Sequence, residues 1–266
     1  MIQYKTRDEI ELIRESSLLV AKTHAEVAKH LRPGVTTREL DQLAETYIRD
    51  HDAVPAFKGY HGFPFSLCMS PNEVVVHGFA NDKPLKEGMI LSVDCGVLKN
   101  GYYGDSAYTY AIGEIGNEVK RLLKTTLQCL WRGIEKTAVG NTLGDVSASI
   151  QNHAEKAGYT VVRELVGHGV GKQLHEPPEL PNYGRRGTGT PVKEGLVVAI
   201  EPMINMGQRF VVQEKDGWTI RTADRKPSGH YEHTVAVING KAEPLSSFEF
   251  LEEALKSNKE NTVIIR

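Results

Sequence analysis

Cysteine is scarce in this chain of 266 residues: only Cys68, Cys95 and Cys129 are present, and no two of them form a CxxC pair. An odd, widely spaced set excludes a disulfide framework and a zinc ribbon. It fits a reducing compartment, so the cytoplasm is the expected location. No apolar run comes near the roughly 20 residues that a membrane helix needs. The opening MIQYKTRDEIELIRESS lacks the apolar core of a signal peptide. Charge excess of either sign is missing too: 32 Lys and Arg stand against 34 Asp and Glu, a formal net charge of −2. Neither nucleic acid nor a membrane is therefore expected as a partner. The length suffices for one large domain or two small ones with a proper core.

What is present is a repeated order of elements. Ile10, Leu12, Ile13, Leu18, Val20 and Ala21 have helical spacing over residues 7 to 31, and LRPG ends the run. A second helix is capped by Thr36 or Thr37, with Leu40, Leu43, Ala44, Tyr47 and Ile48 on one face. Residues 53 to 89 are rich in Gly, Pro and Asn, with the strand-like pieces FSLCMS and EVVVHG. After residue 115 two helices recur. The first has Val119, Leu122, Leu123, Leu127, Leu130, Trp131 and Ile134 as its apolar face; the second runs from a Thr142 cap to Gly158. The strand-like pieces TVVREL, LVVAIEPMI, RFVVQ, WTIRTA and YEHTVAVI follow. Helix, helix, strands thus occurs twice. The expected class is α+β: a single domain over 1–266, with halves of about 1–115 and 116–250 and no linker.

The stretch LSVDCGVLKNGYYGDSAYTYAI, residues 91 to 112, sets two acids in apolar runs. Asn100-Gly101 is a strong signal for a two-residue hairpin turn. With those two as the loop, Lys99 pairs with Tyr102, Gly96 faces Asp105 and Asp94 faces Ala107. Asp94 and Asp105 then share one sheet face as diagonal neighbours, roughly 7–8 Å apart at the backbone. Converging carboxylates need cations, or one must hold a proton. A shared proton or salt bridges to Lys or Arg would satisfy the pair taken alone.

Other anomalies point to a common counter-charge. Glu201 interrupts the apolar stretch LVVAIEPMI, and Glu232 enters YEHTVAVI. His168 lies between Gly167 and Gly169, which give the ring space or let a backbone approach closely; a solvent-facing loop His is the bland alternative. GHGVGK is not a phosphate loop, since Lys172 lacks the required glycine before it and the Ser or Thr after it. HEPPE is not HExxH, because the second His is missing and Pro177-Pro178 would break the helix. Four carboxylates and one imidazole supply about the ligands of two divalent ions, with positions left for water and substrate. Oxygen-rich ligation without thiolate favours Mn, Fe, Co or Mg-like ions over a structural zinc.

In order, VVVHG, DCGVLKNGYYGDSAYTY, GHGVGKQLHE, IEPM and YEHT resemble the signature of the methionine aminopeptidases, over about residues 3 to 248. The resemblance implies the pita-bread fold, with two pseudo-symmetric halves, a curved antiparallel sheet around the site and helices outside. It also implies a dinuclear metal centre: Asp94, Asp105, His168, Glu201 and Glu232 as ligands, Asp105 and Glu232 bridging, and Co, Mn, Fe, Zn or Ni as the ions. The enzyme so implied removes the N-terminal methionine of nascent polypeptides whose second residue is small. Glu201 would act as general base and then acid. The substrate amine would bind the ion held by Asp94, and His175 and His77 would hydrogen-bond the scissile amide. Tyr60, Phe63, Cys68 and Trp218 would line the methionine pocket, with Phe57 and Leu174 nearby.

Phe57 stands where bacterial relatives often have a small residue or Cys, and Leu174 where Phe is frequent, so the pocket floor is expected to differ. Asn72, Val74 and Ser228 match positions that hold Na or K in some members; turn hydrogen bonds explain the Asn and Ser equally well. Glu201 and Glu232 are 31 residues apart, too close for the helical insertion of type II enzymes. The zinc-finger extension of eukaryotic cytosolic forms is not expected before the first helix, and the bacterial type I is the expected match. Prolidase and Xaa-Pro aminopeptidase relatives share the five ligands and form the alternative activity; a non-catalytic binding relative is the alternative of another class. A monomer is expected, and the basic loop YGRRGTGTPVKEG is a candidate for transient ribosome contact.

Overall fold

A computed structural model describes residues 1–258, 260 and 263–265. Its helices are α1 (Arg7–His30), α2 (Thr37–Asp50), α3 (Asn117–Lys136), α4 (Leu143–Lys156) and α5 (Glu249–Ser257). Three of them start on the exchange that a capping box requires: Thr6 with Glu9, Thr36 with Glu39, and Thr142 with Asp145. Leu31 leaves the helical region ahead of Pro33, so α1 ends at His30. Gly158, at φ +88°, closes α4 as expected.

Two expected helix faces need correction. In α1, Leu12 and Leu18 are only half-buried, while Ser16 and Ser17 are fully buried. The cause is a close approach at Gly104, where a Cβ would fall 2.4 Å from Ser17 N. Ser16 Oγ also donates to Tyr102 O at 2.8 Å. Small side chains thus let α1 lie almost backbone to backbone on the strand that carries Asp105. In α3, Trp131 is 46% exposed. It stands at the edge of the Leu123, Leu127, Leu130, Ile134 stripe and rests near the His233 ring, 5.5 Å away.

All strand pairings found are antiparallel. The hairpin Ile90–Lys99/Tyr102–Ala111 pairs in the expected register, with Gly96 opposite Asp105 and Asp94 opposite Ala107. The outer edge of Ile90–Lys99 pairs with Leu67–Pro71, placing Cys68 opposite Asp94. A five-stranded sheet has the order Lys241–Pro244, His233–Ile238, Val197–Ile200, Val166–Gly169, Glu176–Pro181. The two sheets are stitched together along Asp105 to Thr109. Thr234 Oγ1 donates to Asp105 O (2.8 Å), Ser106 Oγ donates to Glu232 O (2.6 Å), and the Glu232 N–H donates to Ala107 O (2.9 Å). One apolar core runs behind both sheets, through Val20, Val93, Leu123, Val198 and Val235.

Glu201 and Glu232 do not lie within strands. One strand ends at Ile200 and the next begins at Met203, so Glu201 shares the break with Pro202, which has no N–H for a ladder. Likewise Ser228–His230 ends before Glu232 and His233–Ile238 begins after it. Breaks free these acids from strand alternation. The strand Glu176–Pro181 was hidden by its three prolines, tolerated because it is an edge. Lys241–Pro244 and α5 were also unforeseen.

Candidate metal centre

The hairpin register sets Asp94 and Asp105 on one sheet face, close enough for the Asp94 charge to raise the Asp105 pKa. From the second sheet, His168 Nε2 comes to 3.9 Å from Asp105 Oδ2 and 3.7 Å from Glu201 Oε1. Asp105, His168 and Glu232 each offer a ligand atom, and these atoms lie within 4.8 Å of one another. The glycines beside His168 answer a close approach of backbones: a Cβ at Gly167 would sit 2.5 Å from Ala199 O, and one at Gly169 would sit 2.6 Å from Pro177 O. His168 Nδ1 lies 3.0 Å from Gly169 O. A carbonyl only accepts, so Nδ1 carries the proton and Nε2 turns its lone pair to the carboxylates.

Burial dominates the electrostatics. It pushes Asp94 up to about 7 and Glu201 up to about 8. Asp105 and Glu232 are raised well above the usual carboxylate range by burial and by their acidic neighbours. It also holds His168 down to about 3, hence neutral. Among the described residues no Lys or Arg pairs with any of the four acids, so the salt-bridge alternative fails. Asp94 Oδ1, Asp105 Oδ1 and Glu232 Oε1 are buried without a hydrogen-bond partner. Oxygens that only accept, buried in this way, call for a cation. With a neutral imidazole beside them, the donor set fits divalent metal.

A cavity of about 140 Å³ opens directly onto this cluster. Its apolar walls are Tyr60, Phe63, Cys68 and Trp218, with Phe57 and Leu174. Phe63 stands edge-on to Trp218, with ring centroids 5.2 Å apart. Phe57 packs onto Gly96, where a Cβ would fall 2.6 Å from its ring. His175 and His77 reach the same cavity. His175 Nδ1 is 2.7 Å from Tyr60 Oη, and its ring is 4.2 Å from that of His168. His77 takes an uncommon positive φ of +57°, and burial lowers its pKa to about 4. A broader cleft of about 480 Å³ shares His77, His168, His175 and Glu201 and runs on past Glu164 and Glu179.

Asn72 and Ser228 also meet, at a distance from the acids in the chain's hydrogen bonding. The Ser228 N–H donates to Asn72 O, Ser228 Oγ donates to Asn205 Oδ1 (2.8 Å), and Asn72 Oδ1 accepts from the Ile90 N–H (3.0 Å). Val74 begins a short strand next to them. One residue went unread in the sequence. His230 is buried, and its Nε2 lies 3.5 Å from Glu201 Oε2. The signal was available: in GHYEHT it stands two residues before Glu232.

The sequence matches the model of metallopeptidase family M24 over residues 11–239. The chain belongs to metallopeptidase family M24. Within M24 it stands on the bacterial methionine aminopeptidase branch. It is 48% identical over 250 residues to the methionine aminopeptidase of Clostridium acetobutylicum, covering 94% of this chain and 100% of that protein. It is 47% identical to methionine aminopeptidase 1 of Bacillus subtilis, covering 89% and 96%. The crystal structure of the Rickettsia prowazekii methionine aminopeptidase superposes with a TM-score of 0.92 at 41% identity, over 93% of this chain and 100% of that one. The M24 fold is the pita-bread architecture implied by the sequence motifs. A Pyrococcus furiosus prolidase shares that fold, with a TM-score of 0.76 at 24% identity over 92% of this chain and 66% of its own. Among the described residues no helix is long and apolar enough to cross a membrane.

Proposed function

We propose that this M24 enzyme removes the N-terminal methionine of newly made polypeptides when the second residue is small. The observation that carries the reading is one cavity of about 140 Å³ with a carboxylate–imidazole cluster at one side and an apolar, sulfur-containing wall at the other. A space of that size takes one side chain, and Cys68 with the rings of Tyr60, Phe63 and Trp218 suits a thioether. Residues 1–266 act as one catalytic unit of two halves, about 1–115 and 116–250, since Asp94 and Asp105 come from the first and His168, Glu201 and Glu232 from the second.

Asp94, Asp105, His168, Glu201 and Glu232 would hold two divalent ions. Bound divalent ions supply hydroxide from water near neutral pH and polarise the scissile carbonyl. Glu201 takes up the proton of the attacking water and delivers it to the leaving amine. Tyr60 Oη and His175 Nδ1 share a hydrogen bond; with the hydroxyl as donor, the ring proton would sit on Nε2, turned to the developing oxyanion. His77, kept neutral by burial, hydrogen-bonds the scissile amide nitrogen. A monovalent cation beside Asn72, Val74 and Ser228 is not needed to satisfy those side chains, since protein partners already do so.

The same reading places the enzyme in the cytoplasm, as a monomer, near the emerging chain. The basic loop brings Arg186 to a cleft with Arg132, Lys136 and Lys156, on the far side of α3 and α4. That surface would make the transient ribosome contact. Metal-supplemented cleavage of Met-Gly-Met-Met against Xaa-Pro peptides tests the function. Release of free methionine is expected. Proline-containing dipeptide products, or no cleavage, would overturn it in favour of a prolidase-like or a non-catalytic relative.

A further inference from the structure

We propose that His230 is a positioning residue of the metal centre, its Nε2–H holding the Glu201 carboxylate from behind the cavity wall. The inference rests on the reading of Glu201 as ligand and base. His230 is 1% exposed and lines neither cavity at the site. Neither ring nitrogen has a hydrogen-bond partner, an unusual condition for a fully buried imidazole.

The backbone of His230 is held on both sides. It pairs with Met203 in the sheet, and its N–H donates to Thr109 Oγ1 (2.9 Å), which in turn donates to His230 O (2.6 Å). Thr109 is itself fixed by Ser92, with their hydroxyl oxygens 2.8 Å apart. Behind the strand, a Cβ at Gly229 would meet Thr126 Oγ1 at 2.9 Å, so the segment is pressed against α3. A ring carried on so constrained a backbone is turned to the acids of the site, with Asp94 near enough for their charges to interact.

The nearer acid is Glu201. Its Oε1 faces His168 Nε2 at 3.7 Å and its Oε2 faces His230 Nε2 at 3.5 Å. His168 has its proton on Nδ1, so it offers Glu201 a lone pair; a cation joins two such acceptors. His230 is then the donor left for the outer oxygen. Among the described residues no other group hydrogen-bonds the Glu201 carboxylate. A separation of 3.5 Å excludes an intervening water, and a small rotation of the carboxylate closes the bond. Hydrogen bonds of this type commonly tighten once a site is loaded, and partners that orient a ligand set its affinity.

Three proteins decide the matter: wild type, His230→Leu and His230→Gln, the last keeping an N–H donor at the same reach. Each is stripped with chelator, titrated with Mn²⁺ by calorimetry, assayed on Met-Gly-Met-Met, and melted in chelator. His230→Leu is expected to lose about 10- to 100-fold in Mn²⁺ affinity and in kcat with little change in KM, and His230→Gln to recover most of both. In chelator His230→Leu is expected to melt no lower than wild type, because an unpartnered buried polar group is replaced by an apolar one. Mn²⁺ binding and turnover by His230→Leu within about twofold of wild type would overturn the proposal. So would a clear loss of melting temperature in chelator, which would make His230 a packing residue. If wild type itself binds no Mn²⁺, the ligand assignment fails first and this inference with it.

Discussion

Lys5 Nζ lies 2.6 Å from Glu176 Oε2, and both side chains are buried, 3% and 8% exposed. The pair clamps the loop that presents Leu174 and His175 to the cavity. Glu176 Oε1 accepts from the Gln173 N–H (3.1 Å), and Gly171 makes room, since a Cβ there would fall 2.6 Å from Lys5 Cε. The Tyr103 N–H donates to Gly171 O (2.9 Å), tying the loop to the hairpin two residues from Asp105. The Lys5→Met variant strands a buried carboxylate and is expected to lose about 3–5 kcal/mol of stability. The double variant Lys5→Met/Glu176→Gln should recover part of that loss. Denaturant midpoints check both; a Lys5→Met midpoint equal to wild type would show that the pair has no such role.

Glu201→Gln keeps the shape of the side chain and removes the proton acceptor. Its kcat on Met-Gly-Met-Met is expected to fall by about 10²–10⁴-fold, the usual worth of a general base. KM should move far less. Measured with bound metal quantified, near-normal turnover by Glu201→Gln or Glu201→Ala would remove Glu201 from the proton-transfer role.

Local chemistry made the hairpin legible. Asn100 and Gly101 take φ of +51° and +80°, as a two-residue turn demands, and every pairing out to Asp94 follows by counting. Glu201 and Glu232 were legible as anomalies but were wrongly set inside strands. What frees Glu232 is a bond from its N–H to Ala107, far away in the sequence. Ser16 and Ser17 showed nothing of their burial, because the reason is Gly104 on another element. The proposed methionine pocket rests on resemblance alone. Phe57, Tyr60 and Phe63 share one loop, where the Tyr60 N–H donates to Phe57 O (2.9 Å), and Cys68 lies on the strand after it, but Leu174 and Trp218 come from distant parts of the chain and no spacing joins them to it. His77 is placed by a positive φ that no neighbouring residue announces.

Stripping the metal should invert the usual pH dependence of stability. A carboxylate whose folded pKa is raised adds stability that is full below its unfolded value, near 4, and is lost as pH rises through the folded value. Asp94 is raised to about 7 and Glu201 to about 8. The depressed histidines work oppositely, but His168 at about 3 and His77 at about 4 affect only pH below their unfolded value of about 6.5. Between pH 6.5 and 8 the chelated enzyme is therefore expected to melt at falling temperature. Added Mn²⁺ should stabilise it more at pH 8 than at pH 6.5, since ligands must lose protons to bind. A flat or rising melting curve in chelator would contradict the raised carboxylates.

Gly96 and Phe57 set the floor of the proposed methionine pocket together. A Cβ at Gly96 would fall 2.6 Å from Phe57 Cε1 and 2.9 Å from Ala56 Cβ. The backbone cannot retreat, because the Ala56 N–H donates to Gly96 O (2.9 Å) and Gly96 is paired with Asp105. In Gly96→Ala the Phe57 ring must therefore swing into the cavity. Overpacking of this type costs about 1–3 kcal/mol. Charged against substrate binding, that is a rise in KM of about 5- to 150-fold. Phe57→Ala alone should widen the pocket and narrow the preference for Met over norleucine and Leu. In the double variant Gly96→Ala/Phe57→Ala the obstruction is gone, and KM should return close to that of Phe57→Ala. Additive effects on KM across this cycle would mean that the two residues do not share the pocket floor.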